Sequence, residues 1–264
     1  MKNKNIFFII SSIIIIVIVF VIIKEVIPMI QESDCKNRVF QEMQNKTDNV
    51  IRGIVGIIPE NTKDGLSSHH GIGSGVIFDK KDNTYYVITA RHIVNIENNK
   101  FKIFTKDTEF SSQTINVRDN INFEIPDDNY YDSLLDGKIE YISKTDDLAI
   151  LSFEYEGDLT ILDFETKKIT KNDKIMVISH PEGNRYQISY GYIKSELINV
   201  NGDKVIEHNA YMKQGNSGGV SLSDNMKISG INVSGSFTLF GHFKSGYMIP
   251  YNIVFDNINA WKNQ

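Results

Sequence analysis

Three short segments of this 264-residue chain hold residue types that together could carry out nucleophilic hydrolysis. In the first, the apolar run Tyr85-Tyr86-Val87-Ile88 ends at Thr89-Ala90-Arg91, and His92 follows. In the second, Asp146-Asp147 stands at the mouth of the apolar run Leu148-Ala149-Ile150-Leu151. In the third, Gln214-Gly215-Asn216-Ser217-Gly218-Gly219, a serine sits among glycines in a tight turn. A serine hydroxyl attacks a carbonyl near neutral pH only if a base removes its proton. Histidine suits that task because its reference pKa lies near 6.5. A buried carboxylate fixes the imidazole tautomer and stabilises the imidazolium that forms. Backbone N–H groups must then face the developing oxyanion, and glycines beside the serine permit the backbone conformations that turn them there. Taken singly, each segment has a structural reading: a glycine turn, a histidine closing a strand, a solvated strand end. It is their joint occurrence, in this order among short strands, that points to hydrolysis.

The composition is compatible with this chemistry and excludes other classes. Hydrophobic residues make up 41% of the chain, enough to bury a core, and the net charge is -5. A mildly acidic chain has no electrostatic reason to bind nucleic acid. Cys35 is the single cysteine, so no intrachain disulfide exists and stability must come from packing. No cofactor is called for, and His69-His70 lacks the carboxylate or cysteine spacing of a metal site.

The apolar run from Ile6 to Ile23 is interrupted only by Ser11 and Ser12. As a helix it measures about 27 Å, close to the hydrocarbon thickness of a bilayer. Lys2 and Lys4 precede it, which predicts residues 1–23 as a cytoplasmic tip and transmembrane helix with everything after Lys24 outside. No small-x-small cleavage site follows, so a retained anchor is expected rather than a cleaved signal peptide. Residues 24–50 suit a juxtamembrane stalk. From residue 51 onward, short runs rich in Ile, Val, Tyr and Phe recur between Asn, Asp and Gly turns. They include Ile51–Ile58, Gly73–Phe78, Phe101–Thr105, Leu148–Phe153, Ile175–Ser179, Gln187–Ile193 and Ile228–Val233, and they predict an all-β antiparallel sandwich or barrel. Residues 106–140 are polar and poorly patterned and read as a long connection or insert. Tyr251–Trp261 has the apolar spacing of a terminal helix.

From residue 51 to the end the sequence resembles the trypsin-like (chymotrypsin-fold) serine peptidases, most closely the disulfide-free bacterial HtrA-type branch. The resemblance is carried by Gly73-Ser74-Gly75-Val76-Ile77, Thr89-Ala90-Arg91-His92, Asp147-Leu148-Ala149-Ile150-Leu151, Gly215-Asn216-Ser217-Gly218-Gly219 and Ser179-His180-Pro181-Glu182-Gly183. It implies two six-stranded antiparallel β-barrels within residues 51–264. It also implies His92 as base, Asp147 rather than Asp146 as orienting acid, Ser217 as nucleophile, and the N–H groups of Gly215 and Ser217 as oxyanion hole. By the same resemblance Tyr211 and Met212 would floor the specificity pocket and Asn232-Val233-Ser234 would wall it. No acid stands at Tyr211, so a preference for Arg or Lys is not indicated. Nor is glutamate specificity, since Asn232 stands where the glutamate-specific branch of the family has its histidine and His208 lies elsewhere. HtrA-type enzymes usually carry a C-terminal peptide-binding (PDZ) domain, which residues 218–264 are too few to contain.

The expected activity is therefore a membrane-anchored serine endopeptidase acting on protein or peptide substrates outside the cytoplasmic membrane. The rival is a catalytically silent binding or sensing module on the same fold, since fold does not fix function. The sequon Asn232-Val233-Ser234 would lie on a strand at the cleft, and Cys35 reads as a free thiol.

Overall fold

The computed structural model describes residues 38–63, 66–69, 71–94, 100–118 and 121–264. The expected membrane anchor, most of the stalk, Cys35 and His70 lie outside the described residues. Among the described residues, no helix is long and apolar enough to cross a membrane. The chain divides into two compact units, Met1–Asn45 and Lys46–Gln264. Of the first, residues 38–44 are helical.

The second unit opens on α1 (Thr47–Ile51) and runs through β1 (Ile54–Lys63), β2 (Leu66–His69), β3 (Gly73–Lys81), β4 (Thr84–Thr89), α2 (Arg91–Val94) and β5 (Lys100–Phe104). A separate hairpin of β6 (Ser112–Arg118) and β7 (Ile121–Pro126) follows, then α3 (Asp128–Asp132), β8 (Leu135–Ile142) and β9 (Ala149–Glu154). The first seven-stranded sheet has the order β2-β1-β3-β4-β9-β8-β5, and β1 also pairs with β5. The remaining strands are β10 (Lys174–Ser179), β11 (Gln187–Val200), β12 (Asp203–His208), β13 (Val220–Leu222), β14 (Ile228–Phe237) and β15 (Phe243–Pro250). They form a closed barrel, β10-β11-β12-β15-β14-β13. Helix α4 (Tyr251–Lys262) ends the chain. The fold is thus mostly β and chymotrypsin-like, with a closed six-stranded barrel and a C-terminal helix.

Each sheet closes over a core built on the two-residue strand period. In the first, Val55, Ile57, Tyr85, Val87, Phe101, Ile103, Ala149 and Leu151 form one buried cluster. The intervening Ile54, Val76, Ile88 and Ile150 are buried too, which is why these strands read as unbroken apolar runs. In the barrel, Ile175, Val177, Ile193, Ile206 and Met248 make the corresponding cluster. Helix α4 leaves the barrel and lays Trp261 against Tyr86 (ring centroids 4.9 Å apart) and Phe78 (6.1 Å) of the first sheet.

Residues 106–140 are more ordered than a connection. They hold the β6–β7 hairpin, α3 and the first residues of β8. Asp127 caps α3 by accepting from the Tyr130 N–H at 2.9 Å, and the Ser111 hydroxyl donates to the same carboxylate. Tyr130 and Leu134 then pack on Ile58 and Phe104. The elements of this insert give no clear pattern in the sequence because α3 is only one turn long and buries Tyr130 alone.

Candidate active site

Strands β4 and β9 pair antiparallel, with Thr89 opposite Ala149. The residues just beyond that pair, Arg91–Val94 on one side and Asp147 on the other, therefore meet at one sheet end. Asp147 grips His92 twice: Oδ2 lies 2.6 Å from ring Nδ1, and Oδ1 accepts from the His92 backbone N–H at 2.9 Å. A carboxylate on Nδ1 makes that atom the donor and leaves Nε2 free to accept a proton. Burial pushes the Asp147 carboxyl up, but the hydrogen bond and charge of the His92 ring, the His92 N–H and the charge of Arg91 together hold it below the usual carboxylate value. Asp146 is engaged elsewhere: its Oδ2 accepts from Asn257 Nδ2 of α4 at 2.9 Å and from the Thr145 hydroxyl at 2.8 Å. Asp203, at the start of β12, is a neighbour that sequence reasoning missed. Its carboxyl is pushed up by burial and next by the charge of Asp147, with Arg91 opposing. No local motif marks it, because the β11–β12 turn brings it there.

The turn carrying Ser217 is pinned by residues far away in sequence. Ser74 of β3 is fully buried and sits at the crossing point. Its N–H donates to the Ser217 carbonyl (2.9 Å) and its hydroxyl donates to the Gly215 carbonyl (2.8 Å). The same hydroxyl accepts from the His180 N–H (3.0 Å), and the Thr89 hydroxyl donates to the Ser74 carbonyl (2.7 Å). Gly218 (φ +78°) passes so close that a Cβ would collide with the Ser74 carbonyl and the Thr89 hydroxyl. Gly215 (φ +96°) likewise has no room for a Cβ against the His180 carbonyl. These two glycines are therefore needed both for their left-handed backbone and for close approach.

The carbonyls of the turn decide where its amides point. In a trans peptide, the C=O of one residue and the N–H of the next face opposite ways. Gln214 C=O accepts from the Glu182 N–H at 2.8 Å, and Asn216 C=O accepts from the Gly219 N–H at 2.9 Å. The N–H groups of Gly215 and Ser217 thereby face away from Glu182 and Gly219, and among the described residues neither donates to another group. Ser217 is half-buried, and its Oγ lies 3.4 Å from the Val233 carbonyl of β14. Among the described residues no hydrogen bond joins it to His92.

The expected specificity residues fall into different settings. Tyr211 is half exposed and rests edge-on against Phe243, 5.2 Å between centroids. Met212 is buried, and its sulfur lies with the His208 ring beneath Gly246. Val233 is buried and Ser234 exposed. Asn232 is fully buried with its amide engaged: Oδ1 meets His208 Nε2 and the Ser221 hydroxyl, each at 3.0 Å, and Nδ2 donates to the Gly219 carbonyl at 2.9 Å. Its side chain ties the turn that carries Ser217 to the barrel and is closed to glycosylation in the folded protein.

Comparison with known proteins agrees with this architecture. A probable periplasmic serine endoprotease DegP-like protein of Buchnera aphidicola is 23% identical, the alignment covering 88% of this chain and 46% of that protein. A serine protease HtrA-like protein of Staphylococcus aureus is 21% identical over 86% of this chain and 29% of its own. The periplasmic serine endoprotease DegP of Escherichia coli is 24% identical over 69% and 34%. The chain thus spans less than half the length of these relatives. Residues 73–231, which include His92, Asp147 and Ser217 together with Ser74, which ties the Ser217 turn to the end of β4, match the Trypsin-like peptidase domain family. The chain belongs to the trypsin-like peptidases.

Proposed function

We propose that the chain is a serine endopeptidase in which Ser217, His92 and Asp147 carry the chemistry. The observation that supports this most directly is the double contact of Asp147 on His92, which fixes the imidazole with Nε2 available as base. In the first half-reaction Ser217 Oγ attacks the carbonyl carbon of the peptide bond while its proton passes to His92 Nε2. The carbonyl oxygen becomes an oxyanion, stabilised by the N–H groups of Gly215 and Ser217. The C–N bond then breaks, and His92 returns the proton to the departing amine. In the second half-reaction water gives its proton to His92 and attacks the acyl-enzyme, and Ser217 leaves with that proton. The retained half of the substrate lies along Val233-Ser234 of β14. Met212 and His208 fill the space beneath Gly246, which favours a small apolar residue at the cleaved bond.

The same reading takes the first sheet as a second barrel, supported by the pairing of β1 to both β3 and β5. It takes residues 1–23 as a single membrane span, supported by the apolar run Ile6–Ile23 behind Lys2 and Lys4, with residues 24–50 as a stalk and residues 51–264 outside the membrane. A silent binding module is the second reading. The observation in its favour is the Ser217 Oγ turned to the Val233 carbonyl rather than to His92. Such bonds are often loose before substrate arrives, so the geometry alone does not favour silence over catalysis.

The test is labelling of the full chain with a fluorophosphonate, which reacts only with an activated serine. Wild type should label and Ser217→Ala should not. A folded wild type that stays unlabelled would sink the peptidase reading and leave the silent module.

A further inference from the structure

Beside the nucleophile turn lies a cleft of about 430 Å³ that the proposed chemistry does not use. Its apolar walls are Ile58, Ile72, Phe104, Phe110, Tyr130 and Tyr131, and Gln214, the residue directly before Gly215, forms part of its lining. We propose that this cleft is a subsite for a bulky apolar side chain, aromatic above all, in the first or second residue of the departing half of the peptide. The proposal rests on the peptidase reading and extends it to the far side of the cleaved bond.

Position argues for the departing half. The retained half follows β14, and neither β14 nor Tyr211 nor Met212 lines the cleft. Gln214 joins the cleft to the oxyanion turn, so a chain passing from Ser217 in the other direction meets the cleft within a residue or two. Volume and lining argue for a large apolar occupant. The cleft falls at the low end of the range for pockets that hold small ligands, roughly 300–1,000 Å³, which suits one large side chain with its backbone.

Charge at the rim argues against an ionic occupant. Arg185 spends its guanidinium on the carbonyls of Thr105 and Thr108, both at 2.8 Å, and lies 4.7 Å over the Phe104 ring. Glu182 is paired with Lys213 at 2.9 Å. The charges nearest the cleft thus already have partners within the protein.

The insert supplies the selective wall. Tyr130 is buried against Ile58 and Phe104, while Phe110, 52% exposed, leans on the Tyr130 ring at 5.2 Å. One aromatic is thus anchored in the core and the next presents an open face. That arrangement gives the segment between β5 and β8 a binding role.

The experiment uses the full chain. Denatured casein is digested and the new N-termini are sequenced; Phe, Tyr, Leu and Met should be enriched at their first or second position. Two quenched peptides built on a mapped site, differing only as Phe or Ala at the enriched position, are then compared. The kcat/KM ratio should be about tenfold in favour of Phe, the size expected for burying a large apolar group in a preformed pocket. In Phe110→Ala it should fall below about threefold, with the same direction in Tyr131→Ala. The ratio is internal to each enzyme, so a general loss of activity or of folded protein leaves it unchanged. A wild type that reacts with fluorophosphonate but gives a ratio near one, or variants that keep the wild-type ratio, would overturn the subsite and leave the peptidase standing. A folded wild type that neither labels nor cleaves would remove both.

Discussion

Acid should unfold this protein through two histidines that take no part in catalysis. His208 is sealed under Gly246 beside Met212, and burial pulls its pKa down to about 4 despite the hydrogen bond to Asn232. His180 is enclosed by Phe104, Tyr186 and the cation of Arg185, and burial with that charge pulls it to about 3. In the unfolded chain both take up protons as the pH falls through about 6.5. In the folded chain they stay neutral until about pH 4 and pH 3. The unfolded state therefore binds more protons throughout this window, so stability falls as the pH drops below about 6.5. At pH 5 each histidine is about 1.5 pH units below its unfolded pKa and above its folded one. Each then costs about 2 kcal/mol, and the pair about 4 kcal/mol, whatever the folded values are below that pH. That is a large part of a typical stability of about 5–15 kcal/mol. The assay is urea unfolding at pH 7 and pH 5, followed by fluorescence of Trp261, the single tryptophan. His208→Gln keeps a donor for Asn232 but cannot titrate, so its loss between the two pH values should be smaller than that of wild type by about 2 kcal/mol. Carboxylate titration contributes equally to both proteins and cancels in the difference. Equal losses in wild type and His208→Gln would refute the reasoning.

Two further predictions concern the site. Ser74→Ala removes the donor to the Gly215 carbonyl and the acceptor for the His180 N–H, both buried. It should cost about 2–4 kcal/mol in urea unfolding and slow fluorophosphonate labelling of Ser217 by at least about tenfold, since the oxyanion turn loses its tether. Asp147→Asn keeps the shape but presents an amide where the His92 ring needs an acceptor; it should melt near wild type yet label about 10³–10⁴-fold more slowly. A labelling rate within about tenfold of wild type would remove Asp147 from the proposed mechanism.

The parts of the fold that were legible in the sequence are those in which local pattern and burial coincide. Strands β3, β4, β9 and β10 lie close to their apolar runs because most of their residues are buried. Strand β8 carries Asp, Lys and Glu between apolar residues that are at best half-buried, and the only apolar residues of β12 are the buried pair Val205-Ile206 between charged ones, so neither gave a comparable run. The three candidate segments stand out in the sequence because each is a local motif. What holds them is not local: Ser74 meets Gly215 across 141 residues, and Asn257 takes up Asp146 across 111. That second contact separates two adjacent aspartates that look alike in sequence. Asn232 shows the converse. Its place on β14 was legible, but its inward-facing amide follows from burial and from the partners His208, Ser221 and Gly219.

One consequence of peptide geometry links the oxyanion turn to the 180–186 loop. Gly215 N–H faces away from Glu182 because Gln214 C=O is held by the Glu182 N–H. Glu182 has φ +52° and Gly183 φ +83°, so the loop holds a left-handed bend at the point where it donates. The bend is braced from below: Tyr186 N–H donates to His180 Nδ1 at 3.1 Å, and Arg185 ties the same loop to Thr105 and Thr108 at the root of the insert. Arg185 thus holds the loop to the root of the insert, and Glu182 of the same loop holds the Gln214–Gly215 peptide. On the proposed mechanism, rotation of that peptide would put its carbonyl in place of the N–H donor, where it would repel the oxyanion. The insert thus borders the cleft and also braces the loop that holds the Gln214 carbonyl, so on the proposed mechanism occupancy of the cleft and the orientation of the Gly215 N–H depend on the same few contacts.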